Sequence, residues 1–172
     1  MKLATPNHVP VMMEPGIAAA GTGAHDVVWR ILGHTYYLKA EGANTLAFET
    51  FDPPGTFVPL HVHPTQDEFI YVLDSHFDLY LDGQHHVASK GDLVRMPAGI
   101  PHGYYNLSDA PTRAIFWVAP GRRLRELFDT LHDMTDPAQV VAESAKREVL
   151  FLTPEQYAFD MHTLKGKAPP AP

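Results

Sequence analysis

Two stretches of this chain hold residue types that can do chemistry together. One runs from Gly55 to Ser75 and carries His61, His63 and Glu68, spaced H-x-H-x4-E. The other runs from Gly91 to Asn106 and carries His102, with Pro97 and Gly99 ahead of it. Side chains alternate along a β-strand, so histidines two apart share a face. Glu68 can rejoin that face after the bend at Pro64–Asp67, and His102 can approach from a second strand. Three imidazoles and one carboxylate suit one divalent transition metal, and iron, manganese, nickel, cobalt, copper and zinc all accept this nitrogen and oxygen set. Such a set leaves coordination positions open, as a catalytic site requires and a closed structural site does not. Glu68 can bind the metal or take a proton from a substrate hydroxyl, while Asp67 on the same strand should face the other way. His8, His25, His34, His76, His85, His86, His132 and His162 are expected to be solvated or hydrogen-bonded instead; His85 and His86 lie beside an Asp82-Gly83 turn signal.

Short strands must position these residues. β-branched and aromatic runs at Val27–Leu32, Thr35–Leu38 and Thr45–Phe51 are punctuated by Gly33-His34 and Glu41–Asn44. Further runs follow at Phe69–Leu73, Phe77–Leu81, His86–Ala88, Leu93–Met96, Gly103–Tyr105 and Thr112–Val118. Short strands separated by turn signals indicate an antiparallel sandwich or barrel. The pattern changes after Pro120-Gly121: Leu124, Leu127, Phe128 and Leu131 form one apolar helix face. Arg122, Arg123 and Arg125 crowd the start of that helix and are read as solvated. Asp136-Pro137-Ala138-Gln139 has the form of a capped helix start, and Thr153-Pro154-Glu155-Gln156 repeats it. These boundaries divide the chain into an arm (1–26), a β-barrel (27–120), C-terminal helices (121–164) and a disordered tail (165–172). Tyr104 shares the parity of His102 and should face a substrate pocket; Phe48 and Trp117 are further candidates for its wall, as are Tyr71 and Phe116, with the facing of all four left open.

Composition narrows the function classes. The 172 residues suffice for one domain with a proper core. A net charge of −7 argues against a nucleic-acid partner and leaves small molecules open. With no cysteine, disulfides, thiolate metal sites and cysteine nucleophiles are all excluded. The N-terminus lacks the apolar run of a signal peptide, and no stretch approaches the ~20 apolar residues of a membrane span. A cytoplasmic protein without membrane contact is the expectation.

The two motif stretches resemble the paired motifs of the cupin superfamily, G-x5-H-x-H-x3,4-E-x6-G and G-x5-P-x-G-x2-H-x3-N. Gly91, Pro97, Gly99, His102 and Asn106 match the second at every fixed position. Gly55, His61, His63 and Glu68 match the first, and Ser75 stands where its last glycine is expected, in a turn away from the ligands. The resemblance implies a mainly β fold, a small antiparallel jelly-roll barrel with C-terminal helices packed outside. His61, His63, Glu68 and His102 would then be metal ligands in the barrel mouth. It also implies a homodimer formed by outer strands.

A looser likeness covers about residues 31–131 and includes Tyr36-Tyr37, Asp52–Gly55, Asp67–Leu73, Met96–His102 and Ala119–Gly121. It is similar to the single-domain cupins grouped with quercetin 2,3-dioxygenase. In that group the metal holds a deprotonated enol or phenol, the glutamate takes the proton, and dioxygen cleaves a carbon–carbon bond. The resemblance therefore implies a metal-dependent dioxygenase for a small aromatic or enolisable substrate, with Glu68 as ligand and base. One fold hosts many chemistries, so a non-redox lyase, isomerase or cyclase at the same site stays open, as does a binding protein without turnover.

Overall fold

The computed structural model describes residues 14–153 and 155–156. Ten strands succeed one another as far as residue 119: β1 (Val28–Ile31), β2 (His34–Gly42), β3 (Thr45–Asp52), β4 (Phe57–Val62), β5 (Asp67–Asp74), β6 (His76–Leu81), β7 (Gln84–Ser89), β8 (Leu93–Met96), β9 (His102–Tyr105) and β10 (Thr112–Ala119). Helices α1 (Leu124–Leu131) and α2 (Pro137–Ala145) follow, then a two-residue strand, β11 (Leu150–Phe151). The strands form two antiparallel sheets, in the orders β1-β2-β3-β10-β5-β8 and β11-β4-β9-β6-β7. This is the expected mainly β double-sheet barrel. The arm's first thirteen residues, the tail after 165 and most of the helix expected after Thr153 lie outside the described residues. Within them, Gln156 accepts a 2.6 Å hydrogen bond from the Thr153 N–H, one half of the expected capping box.

Alternation explains which side chains enter the barrel. In β10, Thr112, Ala114, Phe116 and Val118 are buried while Arg113, Ile115 and Trp117 are partly exposed. Inward residues of both sheets make one core that includes Tyr36, Phe48, Ile70, Phe77, Tyr104 and Phe116. A smaller cluster of Leu60, Tyr80 and Tyr105 packs on the other face of the five-stranded sheet. Pairing is close at β9: a Cβ at Gly103 would lie 2.9 Å from the Val58 carbonyl oxygen, so only glycine lets β9 approach β4.

Both helices follow the barrel, and α1 also closes it. Leu124, Leu127, Phe128 and Leu131 are the buried residues of this helix, as their spacing requires. Phe128 reaches the inward-facing rings, with centroids 4.9 Å from Tyr36 and 5.0 Å from Phe48. The helix therefore forms a wall of the barrel's interior, a role that periodicity alone does not reveal. Asp136 caps α2 as expected, accepting from the Ala138 N–H at 3.0 Å. The solvated reading of the arginines needs correction for two of them. Arg125 pairs with buried Glu41 at 3.1 Å and with Asp129 at 3.0 Å, and its guanidinium lies 5.1 Å from the centre of the Trp29 ring. Arg123 pairs with Glu126 at 2.7 Å. A buried carboxylate such as Glu41 requires a counter-charge, and the start of α1 is where the fold supplies it.

β11 is the one strand without a sequence signal, because two residues show no periodicity. It pairs Leu150 with Val62 and Phe151 with His61, which ties the C-terminal segment to the strand carrying two site histidines.

Two positions generate stability predictions. Ser75, in the β5–β6 turn, has φ +61°, a conformation that glycine adopts freely and other residues adopt at a cost of about 1–2 kcal/mol. Ser75→Gly should raise unfolding free energy by up to ~1 kcal/mol after the added freedom of the unfolded chain is subtracted. Denaturant unfolding measures this, and a loss of stability would contradict it. Glu49 is buried on the sheet face away from the cavity, where it accepts from Arg113 at 2.5 Å and from the Gly21 N–H at 3.0 Å, and pairs with Lys39 at 2.9 Å. Burial pushes its carboxyl up, but Lys39 and Arg113 outweigh that and hold it below its ordinary 4.5. A depressed folded value means stability that is present above about pH 4.5 and lost as the pH falls through the folded value. Glu49→Gln should cost about 1–3 kcal/mol at pH 7 and flatten the acid limb of the stability profile. An unchanged acid limb would remove Glu49 from this role.

Candidate metal centre

The four candidate ligands come from both sheets. His61 lies on β4 and pairs directly with His102 on β9, in adjacent strands of the five-stranded sheet. His63 follows the end of β4, and Glu68 lies on β5 of the six-stranded sheet. All four are buried, and one possible ligand atom from each lies within 4.8 Å of the others. The bend between His63 and Glu68 brings the carboxylate back, as the spacing anticipates. It is pinned to the second motif: Gly99, at φ +80°, donates its N–H to the His63 carbonyl at 2.9 Å. Asp67 faces outward and accepts from the Ala98 N–H at 2.9 Å, so it holds the same turn from the other side.

Each imidazole is held through Nδ1 by an oxygen. His61 donates to the Pro59 carbonyl at 2.8 Å, His102 to the Ile100 carbonyl at 2.9 Å, and His63 to the Gln66 side-chain oxygen at 3.2 Å. A carbonyl oxygen can only accept, so Nδ1 of His61 and His102 carries a proton, and in the neutral ring Nε2 then keeps its lone pair. The Gln66 amide is fixed the same way round, because its NH2 donates to the carbonyls of Pro120 and Gly121, both at 2.8 Å. Nε2 of His63 lies 3.0 Å from Glu68 Oε2. Nε2 of His102 is 3.4 Å from the same oxygen and is a fully buried nitrogen with no hydrogen bond. Such an atom is costly unless something else occupies its lone pair. A metal ion satisfies that need, so these residues fit one.

Charge follows from burial. Burial keeps His61 well below its ordinary value, helped by His102 and His63, so it is neutral at neutral pH, as a ligand must be. Burial acts on His63 in the same direction, but the hydrogen bond and charge of Glu68 outweigh it and raise this ring. Burial alone would raise Glu68; His102 and His63 hold it well below the usual carboxylate range, so it is an anion.

The site opens onto a cavity of about 110 Å³. Its walls are mostly carbon: Phe48, Phe116 and Phe128 from the barrel and α1, and Phe151 from β11, whose ring is 5.4 Å from His61. Phe48 and Tyr104 both line it, Tyr104 where its parity with His102 puts it. Trp117 does not. It alternates with inward-facing Phe116 and stacks on Phe69, centroids 5.1 Å apart, on the opposite face of the sheet. Phe116, whose facing the sequence leaves open, lines the cavity, and Tyr71 is exposed.

Several cavity residues have no sequence signal. His34, expected to be solvated or hydrogen-bonded, is buried in the wall, 2.5 Å from Asp52 through Nδ1 and 3.1 Å from the Phe57 carbonyl through Nε2. Thr50 donates to the other Asp52 oxygen at 2.5 Å, and Asn106 donates to the Asp52 backbone carbonyl at 2.8 Å. The last residue of the second motif is thus a support for this loop. Tyr36 and Tyr104 meet through their hydroxyls at 3.3 Å. Burial first, then neighbouring groups including Asp52, push both phenols far above their ordinary range, so both keep their protons at neutral pH. Tyr104 and Asn106 had sequence clues, in strand parity and in the second motif, and Gln66 sits inside the first motif's bend; His34, Thr50 and Asp52 had none.

Comparison with known proteins agrees with this geometry. The family model described as "Cupin domain" matches residues 48–118, which contain all four candidate ligands. The chain is 34% identical over 85 residues to quercetin 2,3-dioxygenase of Bacillus subtilis (strain 168), covering 49% of this chain and 25% of that protein. It is 33% identical over 92 residues to protein SchB of Streptomyces halstedii, covering 52% of this chain and 67% of the relative. Among solved structures, an RmlC-like cupin from Shewanella frigidimarina NCIMB 400 is similar at TM-score 0.58 and 17% identity, over 67% of this chain and 99% of its own. KdgF from Halomonas sp. is similar at 0.53 and 22% identity, over 56% of this chain and 91% of its own. At those identities the structural likeness shows the fold alone. The matched segment, the two-sheet barrel and the clustered histidines and glutamate agree: the chain belongs to the cupin family.

Proposed function

We propose that this cupin is a metal-dependent dioxygenase acting on a small aromatic or enolisable compound. One observation carries the reading. Three imidazoles, each anchored through Nδ1, turn their Nε2 atoms toward one another and toward an anionic Glu68, at the edge of an apolar cavity. The similarity to quercetin 2,3-dioxygenase supports the choice of reaction class, although the matched stretch is a quarter of that protein.

His61, His63, Glu68 and His102 would hold one divalent transition metal. When bound, such an ion supplies Lewis acidity toward an enolic or phenolic oxygen and, if redox-active, a partner for dioxygen. The chain's own residues do the rest. Glu68 accepts the hydroxyl proton through the carboxylate oxygen that faces His63 and His102. Phe48, Phe116 and Phe128 exclude water from the cavity, and Tyr104 contacts the substrate. Phe151 and β11 cover His61 from the C-terminal side. The donor set equally suits zinc, so a non-redox lyase, isomerase or cyclase is the competing reading; that enzyme would turn over without oxygen.

His61→Ala and His102→Ala should each lose metal with the barrel intact, because each deletes a ligand and leaves the core rings in place. Elemental analysis alongside circular dichroism checks this, and unchanged metal stoichiometry would overturn the ligand assignment. Glu68→Gln should keep most of the metal and lose about 10²–10⁴-fold in turnover, the usual worth of a positioned base. Oxygen uptake by metal-loaded protein is the readout. Full turnover by that variant sinks the proton-acceptor role, and oxygen-independent turnover by the wild type moves the assignment to the non-redox class.

A further inference from the structure

The cavity holds a pair of hydroxyls whose protons do not balance within the protein. Tyr36 and Tyr104 are both buried, both line the cavity, and their oxygens are 3.3 Å apart. Each phenol has one proton to donate, and the bond between them uses only one of the two. Among the described residues, neither hydroxyl has another hydrogen-bond partner. Ring faces and edges surround them, His34, Phe48 and Phe128 around Tyr36 and His34, Phe77 and Phe116 around Tyr104, and the Asp52 and Glu68 carboxylates act on both phenols through charge without a hydrogen bond to either. A donor left over in an apolar wall is costly, and the remaining direction for it is the cavity.

The neighbouring polar groups are already committed. Both nitrogens of His34 face acceptors, Asp52 and the Phe57 carbonyl, so this ring buttresses Tyr36 and has no donor to spare. The NH2 of Gln66 is spent on Pro120 and Gly121. The cavity also has a size. At about 110 Å³ it is smaller than the ~150 Å³ cavity that accommodates a benzene ring. The room between these walls therefore favours a compact group.

We infer that Tyr36 and Tyr104 form a donor subsite for a carbonyl or enolate oxygen of the substrate, and that the substrate is a compact oxo compound with a second oxygen for the histidine–glutamate cluster. Either tyrosine can be the one that points outward, because the proton between them can run in either direction. The subsite needs no ionisation of either phenol. This assignment rests on the proposed enzyme reading only in taking the occupant to be a substrate; contact with the phenols is measurable without turnover.

The test uses zinc-loaded full-length protein and pyruvate labelled with carbon-13 at its ketone, read by calorimetry and by the infrared stretch of the labelled carbonyl. In the wild type the ketone band should move to lower frequency on binding, as a carbonyl accepting a hydrogen bond does. Tyr36→Phe and Tyr104→Phe should each keep that shift, since the remaining hydroxyl still has a proton to give. The double variant Tyr36→Phe/Tyr104→Phe should lose it and bind pyruvate up to about tenfold more weakly, with zinc content unchanged. No pyruvate binding by the wild type, an unshifted ketone band in the wild type, or the same shift in the double variant would overturn the subsite. The first two outcomes need no variant to fold. Quercetin binding as tightly as pyruvate would overturn the compact-substrate class. Absence of oxygen uptake would strike the dioxygenase reading and leave the pyruvate result standing.

Discussion

Everything at the centre of this molecule depends on holding three imidazoles in one orientation inside an apolar barrel. A neutral imidazole has one donor and one acceptor, so whichever nitrogen is given an oxygen partner determines where the lone pair points. Here Pro59, Ile100 and Gln66 supply those oxygens to Nδ1, and the three Nε2 atoms converge. Two of the partners are backbone carbonyls two residues before their histidine, so strand geometry itself sets the tautomer. The third is a side chain held by Pro120 and Gly121, at the junction between the barrel and α1. The centre is therefore coupled to the segment that closes the barrel.

That closure gives the site its dielectric. The apolar face of α1 and Phe151 of β11 separate the histidines from bulk water, and Phe128 fills the space between Tyr36 and Phe48. Electrostatic interactions strengthen as water leaves. The same burial that holds His61 neutral would neutralise Glu68 if His63 and His102 were not beside it. Burial and charge thus act in opposite directions on neighbouring groups, and the result is an anionic Glu68 close to a neutral His61.

The outer surface follows a separate logic. Glu49, Arg113, Lys39 and Asp74 form a charged network on the outside of the six-stranded sheet, and Arg125 answers the buried carboxylate of Glu41. Trp117 and Phe69 stack on that outer face. None of these groups lines the cavity, and their role is to hold strands and helix in register around it.

Much of this was legible in the chain because its signals are local. Alternating runs mark the strands, the Leu124, Leu127, Phe128 and Leu131 spacing marks a helix face, and two motifs mark the candidate ligands. Histidine parity along β4 and the Asp136 cap depend only on backbone period, so sequence suffices for them. The rest depends on which face a strand presents and on what lies across the barrel. Trp117 and Phe116 are adjacent and chemically alike, and only sheet packing sends one outward and the other into the cavity. His34 and Asp52 are 18 residues apart, Tyr36 and Tyr104 are 68 apart, and β11 is too short to leave a pattern. By itself the sequence determined the barrel class and which four side chains cluster as candidate ligands, since both are written in spacing. Tertiary structure alone decided the tautomers, the size of the cavity and the pairing of its phenols, because those come from contacts between residues that no local period relates.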